Sequence, residues 1–546
     1  MRIKKKLIAE IRRGHKSLPA ACLVVLAALA ASDGEARRMS EPEVRAAAQT
    51  WARNTTPDAR PDAVVESMEP YEVGGGITAY VARLSGGGFC LCGLDEILLP
   101  VYFYSPRGTF DPENPGLQCI LSQMTERALM VREWERIGDP RLDDLRLAAA
   151  GRPRIWSDLI AGVAPEREVQ APEGTTLEPS MMELPLNSDW HQFHPYNDQC
   201  PVHPDGSGEH TLVGCPATAF SQIMYYWKWP NTGSGSSSVY YPTRKWPAGT
   251  WDSTPLASDP LITDSGDWSW SGRLAYLSST HRLYISGCWD WSIHGAAHND
   301  SSLVQNITPE YLTALQTLYE RMPADSTLHA INYAAASYTW SLIQNSHDDP
   351  PDAGDTEVAK INYHTAVAVN TNFGLRGSSA SCPLVVEGAT AHLRYDTDAA
   401  TQATNISTMT SEIAWLRPLG IGGCGHMWVV CGYDKSTDPN RSFKVNMGWR
   451  GTSSDGWELL DFHCPASGME HATMLAPKDV VKFVGGYLGG DGTPNSPYRN
   501  IETAVAGAPS GATLIFKAGS DNLFTATTLV IDKPLTLKGT NVVIRR

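Results

Sequence analysis

Between Val213 and Pro230 the sequence reads VGCPATAFSQIMYYWKWP, and this stretch constrains the chain more than any other. From Pro216 to Trp229 the apolar residues recur at helical spacing, and Pro230 ends the run. Proline suits the first helical position, because the N–H it lacks would have had no partner there. The pattern predicts a helix with Cys215 at its N-terminus, where the positive end of the helix dipole favours thiolate over thiol. Spacing alone leaves two readings open. One is a nucleophilic cysteine, the other a buried structural thiol or disulfide half.

A thiolate needs a general base that is close in space, not in sequence. Among the 15 histidines, His426 stands in GGCGHMWVVCGYD, where glycines precede an alternating apolar run and predict the start of a strand. The segment FKVNMGW, Phe443 to Trp449, reads as a return strand after the polar turn 435–441. An antiparallel hairpin brings Asn446 to Trp449 level with His426, within a register step. An asparagine there is placed to hold an imidazole in one tautomer. The plainer readings are a satisfied strand-end histidine and an edge or turn amide.

With 546 residues the chain has room for three to four domains of roughly 150 residues each. A 42% hydrophobic share supplies sizeable cores, which excludes wholesale disorder and collagen-like repetition. The net charge of −15 argues against a nucleic-acid partner, which calls for a basic excess. No apolar stretch reaches the roughly 18 residues of a membrane span. Residues 1–17 carry seven basic side chains and one acid, and LPAACLVVLAALA follows. Basic, then apolar, then small-x-small at Ala28–Ala30 predicts a signal peptide over 1–30 and a secreted protein. Its removal takes away a net charge of +6 and leaves the exported chain near −21. Ten cysteines then sit where disulfides persist, with pairings that sequence cannot give.

Composition divides the rest. Residues 31–163 combine a helical run at 40–55, strand-like segments around 77–83, 86–92 and 98–104, and a helix from about Pro115 to Ile137. Residues 164–186, rich in Pro and Glu, read as an exposed linker that proteases nick. A region rich in Trp, Tyr and Gly occupies 187–478, and short β-branched runs between turns occupy 479–546.

Taken together, these residues resemble the streptopain-type cysteine peptidases, secreted bacterial enzymes with a papain-like fold. The matching pieces are Gln192 with Pro195-Tyr-Asn197, Gly214-Cys215-x-Ala217-Thr218-Ala219, Gln222-Ile-Met224, Trp229-Pro230, Gly425-His426, and Val445-Asn446-x-Gly448-Trp449 ending in Asp455-Gly456. Gly87-Gly-Phe89, Pro100-Val-x-x-Tyr-Ser105 and Phe110 look like the family's inhibitory propeptide. The resemblance covers about residues 40–475 and implies an α+β fold. A two-lobed papain-like domain at 187–478 would be preceded by a small propeptide domain at 31–163. It implies Cys215 as nucleophile and His426 as base, with Gln192 donating to the oxyanion beside the Cys215 N–H. Asn446 and Trp449 would orient and shield the imidazole. No cofactor or metal is implied. The expected partners are protein and peptide substrates and the chain's own propeptide, and the chain is expected to be a monomer.

Two positions depart from the family pattern. Pro216 stands where Val is usual, which deletes the N–H of residue 216 but not that of Cys215. Met447 stands where the family has Trp, filling volume without an indole N–H. Met447 favours the alternative function, a catalytically weak or inactive protease-fold surface or adhesive protein.

Three further features carry competing readings. Cys200, His203, His210 and Cys215 invite a zinc site, but their spacing is unlike the common structural patterns and zinc would sequester the nucleophile. Trp246, Trp251, Trp268, Trp270, Trp289 and Trp291 suit a glycan-binding face or, more simply, a loop-rich core. The tail 479–546 resembles the cap and first rung of a parallel β-helix, a unit that does not bury its faces alone. It either docks on the central region or belongs to a longer solenoid.

Overall fold

A computed structural model describes residues 37–163, 179–242 and 326–545, apart from short stretches within each, and the backbone of strands Arg273–Leu277 and Arg282–Ser286. The expected signal peptide, most of the 164–186 linker and the six tryptophans from Trp246 to Trp291 lie outside those residues. The architecture is mixed α/β. Among the described residues, no helix is long and apolar enough to cross a membrane.

The N-terminal unit holds the expected helices Glu41–Asn54 and Pro115–Ile137 and the expected strands Gly76–Leu84, Phe89–Cys92 and Val101–Ser105, and adds a strand, Val65–Val73, that the sequence pattern did not predict. The last of these is well punctuated. Asn114 Oδ1 accepts from the N–H groups of Gly116 and Leu117, Pro115 stands where no N–H is needed, and left-handed Gly138 closes the C-terminus.

This unit does not stand apart. Its strands continue, all antiparallel, into one sheet with the central region. After Val101–Ser105 come Gly456–Leu459, Ser442–Asn446, His426–Asp434, Leu419–Gly423, Glu470–Thr473 and Ala400–Ala403, with Met181–Glu183 also paired to His426–Asp434. The join is Tyr104 opposite Trp457 and Phe103 opposite Glu458. It needs the glycine beside it, because a Cβ at Gly456 would collide with the Tyr104 carbonyl oxygen. Beneath the join a single apolar core runs from Phe89, Tyr104 and Leu117 to Phe220, Met447 and Trp457. Asp58 adds a polar clasp, accepting at Oδ2 from Lys444 Nζ at 2.6 Å and Trp457 Nε1 at 2.8 Å.

The tail packs on the central region. Strands Val481–Val484, Thr513–Phe516 and Thr536–Lys538 form a parallel sheet, with helix Ile501–Gly507 between the first two. Phe483, Val481 and Ile515 bury their side chains against Trp415 and Ala476, and the Arg417 guanidinium lies 4.9 Å from the Phe483 ring centre. Residues 529–531, part of a β-branched run, have irregular backbone.

Candidate active site

Cys215 opens helix Cys215–Trp227, so the helix starts one residue before the spacing suggests and Pro216 is its second residue. Gly214, at φ 94°, turns the chain into it. Lys228 ends it in the left-handed conformation, two residues ahead of Pro230. His426 is the first residue of strand His426–Asp434. Val429 pairs with Asn446, and continuing that register sets Trp449, not Asn446, across from His426. The two rings meet edge to face, centres 6.4 Å apart at 87°, while Trp428 lies at 5.9 Å and 21° to the same imidazole. Across the helix start, the Met427 N–H donates to Cys215 Sγ at 3.3 Å, so the sulfur is held by the residue that follows the histidine.

What holds the imidazole is a correction to the sequence reading. His426 Nε2 lies 2.9 Å from the main-chain oxygen of Met447. A carbonyl only accepts, so the proton sits on Nε2 and Nδ1 is the basic nitrogen. Nδ1 is buried and without a hydrogen-bond partner, so the thiol–imidazole bond is not made in this state. The Asn446 side chain does not reach the ring. Its Nδ2 donates to the Ser188 carbonyl at 2.5 Å, and its Oδ1 accepts from the Gly448 N–H at 3.0 Å. That N–H belongs to the same peptide unit as the Met447 carbonyl. Asn446 therefore clamps the peptide that clamps the imidazole.

Gln192, Cys215, His426 and Trp449 line one cavity of about 630 Å³, together with Leu212 and Ser378. Its opposite wall is N-terminal: Tyr71, Glu113, Pro115, Gln118 and Cys119. Gln192 is 3% exposed, His426 3% and Cys215 8%. The covering helix approaches closely. A Cβ on Gly116 would lie 2.5 Å from Met447 Sδ and 3.1 Å from His426 Cδ2.

Covering decides the charge state. Burial pushes the Cys215 thiol up to about 12, against the lowering effect of the Met427 N–H. Burial also pushes the His426 imidazole down to about 4, against the raising effect of the Met447 carbonyl. The helix-dipole expectation of a thiolate is thus not met here. Desolvation outweighs the dipole, and thiol and imidazole are both neutral at pH 7.

Cys90, Cys92, Cys119, Cys200, Cys382 and Cys431 are buried free thiols, as is Cys215. Of the zinc candidates, His203 lies outside the described residues, and His210 Nδ1 is spent on the Cys200 carbonyl at 2.6 Å. His347, Asp352 and Asp355 are the one group of metal-type side chains within reach of one another among the described residues. They already serve as a helix cap. Asp352 Oδ1 accepts from the N–H groups of Gly354 and Asp355, while His347 bonds Asp355 through Nδ1 and the Gln344 N–H through Nε2.

The Peptidase C10 family matches residues 190–256 and 313–457, the segment that carries Gln192, Cys215, His426, Asn446 and Trp449. By this match the central region is similar to the C10, or streptopain-type, cysteine peptidases. This region is 31% identical over 157 residues to the thiol protease/hemagglutinin PrtT of Porphyromonas gingivalis, covering 28% of this chain and 15% of that protein. It is 26% identical over 165 residues to streptopain of Streptococcus pyogenes, covering 29% of this chain and 34% of that protein. The chain thus spans about a third or less of the curated relatives it matches. Among solved structures, a fragment of Prevotella intermedia prointerpain A aligns with 76% of this chain and all of that fragment, at 17% identity and a TM-score of 0.45.

Two contributors to the site escaped the sequence reading. The Met447 carbonyl is main chain, which no side-chain pattern reveals. Asp455 was visible only as the end of a motif and carried no role; its Oδ1 accepts from the Met447 N–H at 2.9 Å.

Proposed function

We propose that this chain is a secreted cysteine endopeptidase made as a zymogen. Residues 31–163 act as the inhibitory propeptide, 164–186 as the maturation segment, and 187–478 as the papain-like catalytic domain. The observation that carries this reading is the shared cavity, in which Cys215 and His426 face each other's surroundings beneath the helix Pro115–Ile137. Its supports are the Met447 carbonyl, which leaves Nδ1 as the base, and the continuous sheet that seats the propeptide.

In the uncovered enzyme, water access and the helix dipole favour the thiolate, and the imidazole takes its proton at Nδ1. Sulfur attacks the substrate carbonyl carbon. The oxyanion takes hydrogen bonds from the Gln192 side-chain amide and the Cys215 N–H, donors worth on the order of 3 kcal/mol each. His426 returns the proton to the leaving amine, giving a thioester. Water, deprotonated at Nδ1, attacks the thioester and frees Cys215. No cofactor or metal enters this scheme.

Latency follows from the same geometry. The propeptide removes water, and with it both charges of the ion pair. The rival reading, an inactive surface protein, rests on Met447 lacking an indole. A main-chain carbonyl holds the ring whatever side chain stands at 447, which weakens that rival. The tail 479–546 is read as a β-helix-like rung docked on the catalytic domain, without a catalytic role.

The deciding experiment is labelling of Cys215 by a peptidyl epoxide at neutral pH after the propeptide is removed, with His426→Ala beside it. Fast labelling that His426→Ala abolishes is expected, with cleavage of casein. A Cys215 that stays unlabelled once uncovered would return the chain to the binding reading.

A further inference from the structure

Met447 carries the carbonyl on which the proposed base depends, so what fixes Met447 matters for the reaction. Two peptide units flank its Cα. The one after it is held by Asn446, through the Gly448 N–H at 3.0 Å. The one before it is held by Asp455, whose Oδ1 accepts from the Met447 N–H at 2.9 Å. Resting on the reading of Cys215 and His426 as nucleophile and base, we propose that Asp455 is a positioning residue of this site. It fixes the direction of the Met447 carbonyl and, through it, the tautomer and orientation of His426.

The physical argument concerns the loop. Residues 447–449 follow the end of strand Ser442–Asn446, so no ladder hydrogen bond sets their direction. Left to itself, such a backbone rotates, and a carbonyl that swings by about 1 Å releases its partner. A carboxyl oxygen on one side and an amide oxygen on the other remove that freedom. The groups facing Asp455 fit the assignment. Burial raises its carboxyl to about 7, opposed by the Met447 N–H; Asp189 adds to the rise and Lys444 opposes it. Either protonation state keeps an oxygen to accept from Met447.

Asp455 is also braced by the propeptide. Ser105 Oγ shares its one proton between the Arg107 carbonyl oxygen at 2.6 Å and the Asp455 carbonyl oxygen at 2.9 Å, at the edge where Val101–Ser105 joins Gly456–Leu459. Position 455 thus links the seated propeptide to the histidine.

The test uses the enzyme made as the full chain and then activated by removal of its propeptide. Asp455→Asn keeps an acceptor of the same shape; Asp455→Ala removes it. For Asp455→Ala we expect kcat to fall between about tenfold and a hundredfold with KM nearly unchanged. Because the Met447 carbonyl raises the His426 pKa, the alkaline limb of Cys215 alkylation should also move to lower pH. Asp455→Asn should retain most activity and the wild-type limb. Equal losses in both variants, or an unmoved limb in Asp455→Ala, would overturn the proposal. Should Asp455→Ala not fold, Asp455→Leu takes its place. In wild type, the Met447 amide should resist hydrogen exchange, and free exchange there counts against it. If wild-type alkylation does not depend on His426, the peptidase reading fails instead. If it does, and Asp455→Ala behaves as wild type, only the role of Asp455 falls.

Discussion

The imidazole of His426 is held by the main-chain oxygen of Met447, 2.9 Å from Nε2, and not by the side chain of Asn446 one residue earlier. That distinction separates what each substitution in this loop should do.

Met447→Ala keeps the carbonyl and loses a fully buried side chain. Stability should drop by roughly 2–5 kcal/mol, as for other large-to-small core changes, while kcat/KM of the folded, activated enzyme falls less than about tenfold. Asn446→Ala should act the other way. It removes the bonds to Ser188 and Gly448, and catalysis should fall by more than stability alone explains. Thermal unfolding alongside peptide-substrate kinetics distinguishes the two patterns.

Gly116→Val should weaken latency. Any Cβ there meets Met447 Sδ at 2.5 Å and His426 at 3.1 Å, with both side chains buried. The intact variant is expected to activate faster than wild type and to show peptidyl-epoxide labelling before cleavage. Labelling as slow as in wild type would mean that this contact does not seat the propeptide.

Seating should also depend on pH. The covered His426 titrates near 4 against an ordinary 6.5, so it binds fewer protons covered than uncovered. Covering is fully favoured above about 6.5 and weakens as the pH falls toward 4, by up to roughly 3 kcal/mol. Asp58 works in the same direction at lower pH. Burial raises its carboxyl, but the hydrogen bonds and charge of Lys444, with Trp457, bring it below the ordinary value, so this clasp is lost in acid. In the Cys215→Ala chain, amide protection at the Tyr104–Trp457 junction, corrected for intrinsic exchange, should fall by about tenfold or more between pH 7 and 4.5. Adding His426→Ala should remove most of that change.

Glu412 and Arg417 form a bidentate pair, each side chain 3% exposed, and Glu412 Oε2 also accepts from the Met474 N–H. Glu412→Ala leaves a buried guanidinium uncompensated. It should cost about 3–5 kcal/mol and loosen the tail, because Arg417 is also the cation over Phe483. Urea unfolding followed by Trp415 fluorescence reads both effects.

Much of this molecule was legible one residue at a time. Helical spacing put Cys215 at the mouth of Cys215–Trp227, and alternation put His426 at the start of its strand, because these periodicities report which face each element buries. Hairpin logic brought 446–449 beside the histidine to within a register step. Side-chain chemistry then suggested Asn446 as the direct partner. The folded loop instead brings the Trp449 ring to the imidazole and sends the Asn446 amide to Ser188 and Gly448.

The sequence by itself determined the candidate nucleophile and base, the elements that carry them and the family resemblance, since each rests on side-chain identity and local period. Only the tertiary structure decided that a backbone oxygen orients the ring and that the N-terminal unit joins the central sheet at Tyr104 and Trp457. It also decided that burial keeps Cys215 and His426 uncharged. These depend on main-chain groups, identical at every residue, and on exclusion of water by segments about one hundred to three hundred residues apart. No reading of side-chain order along the chain contains either.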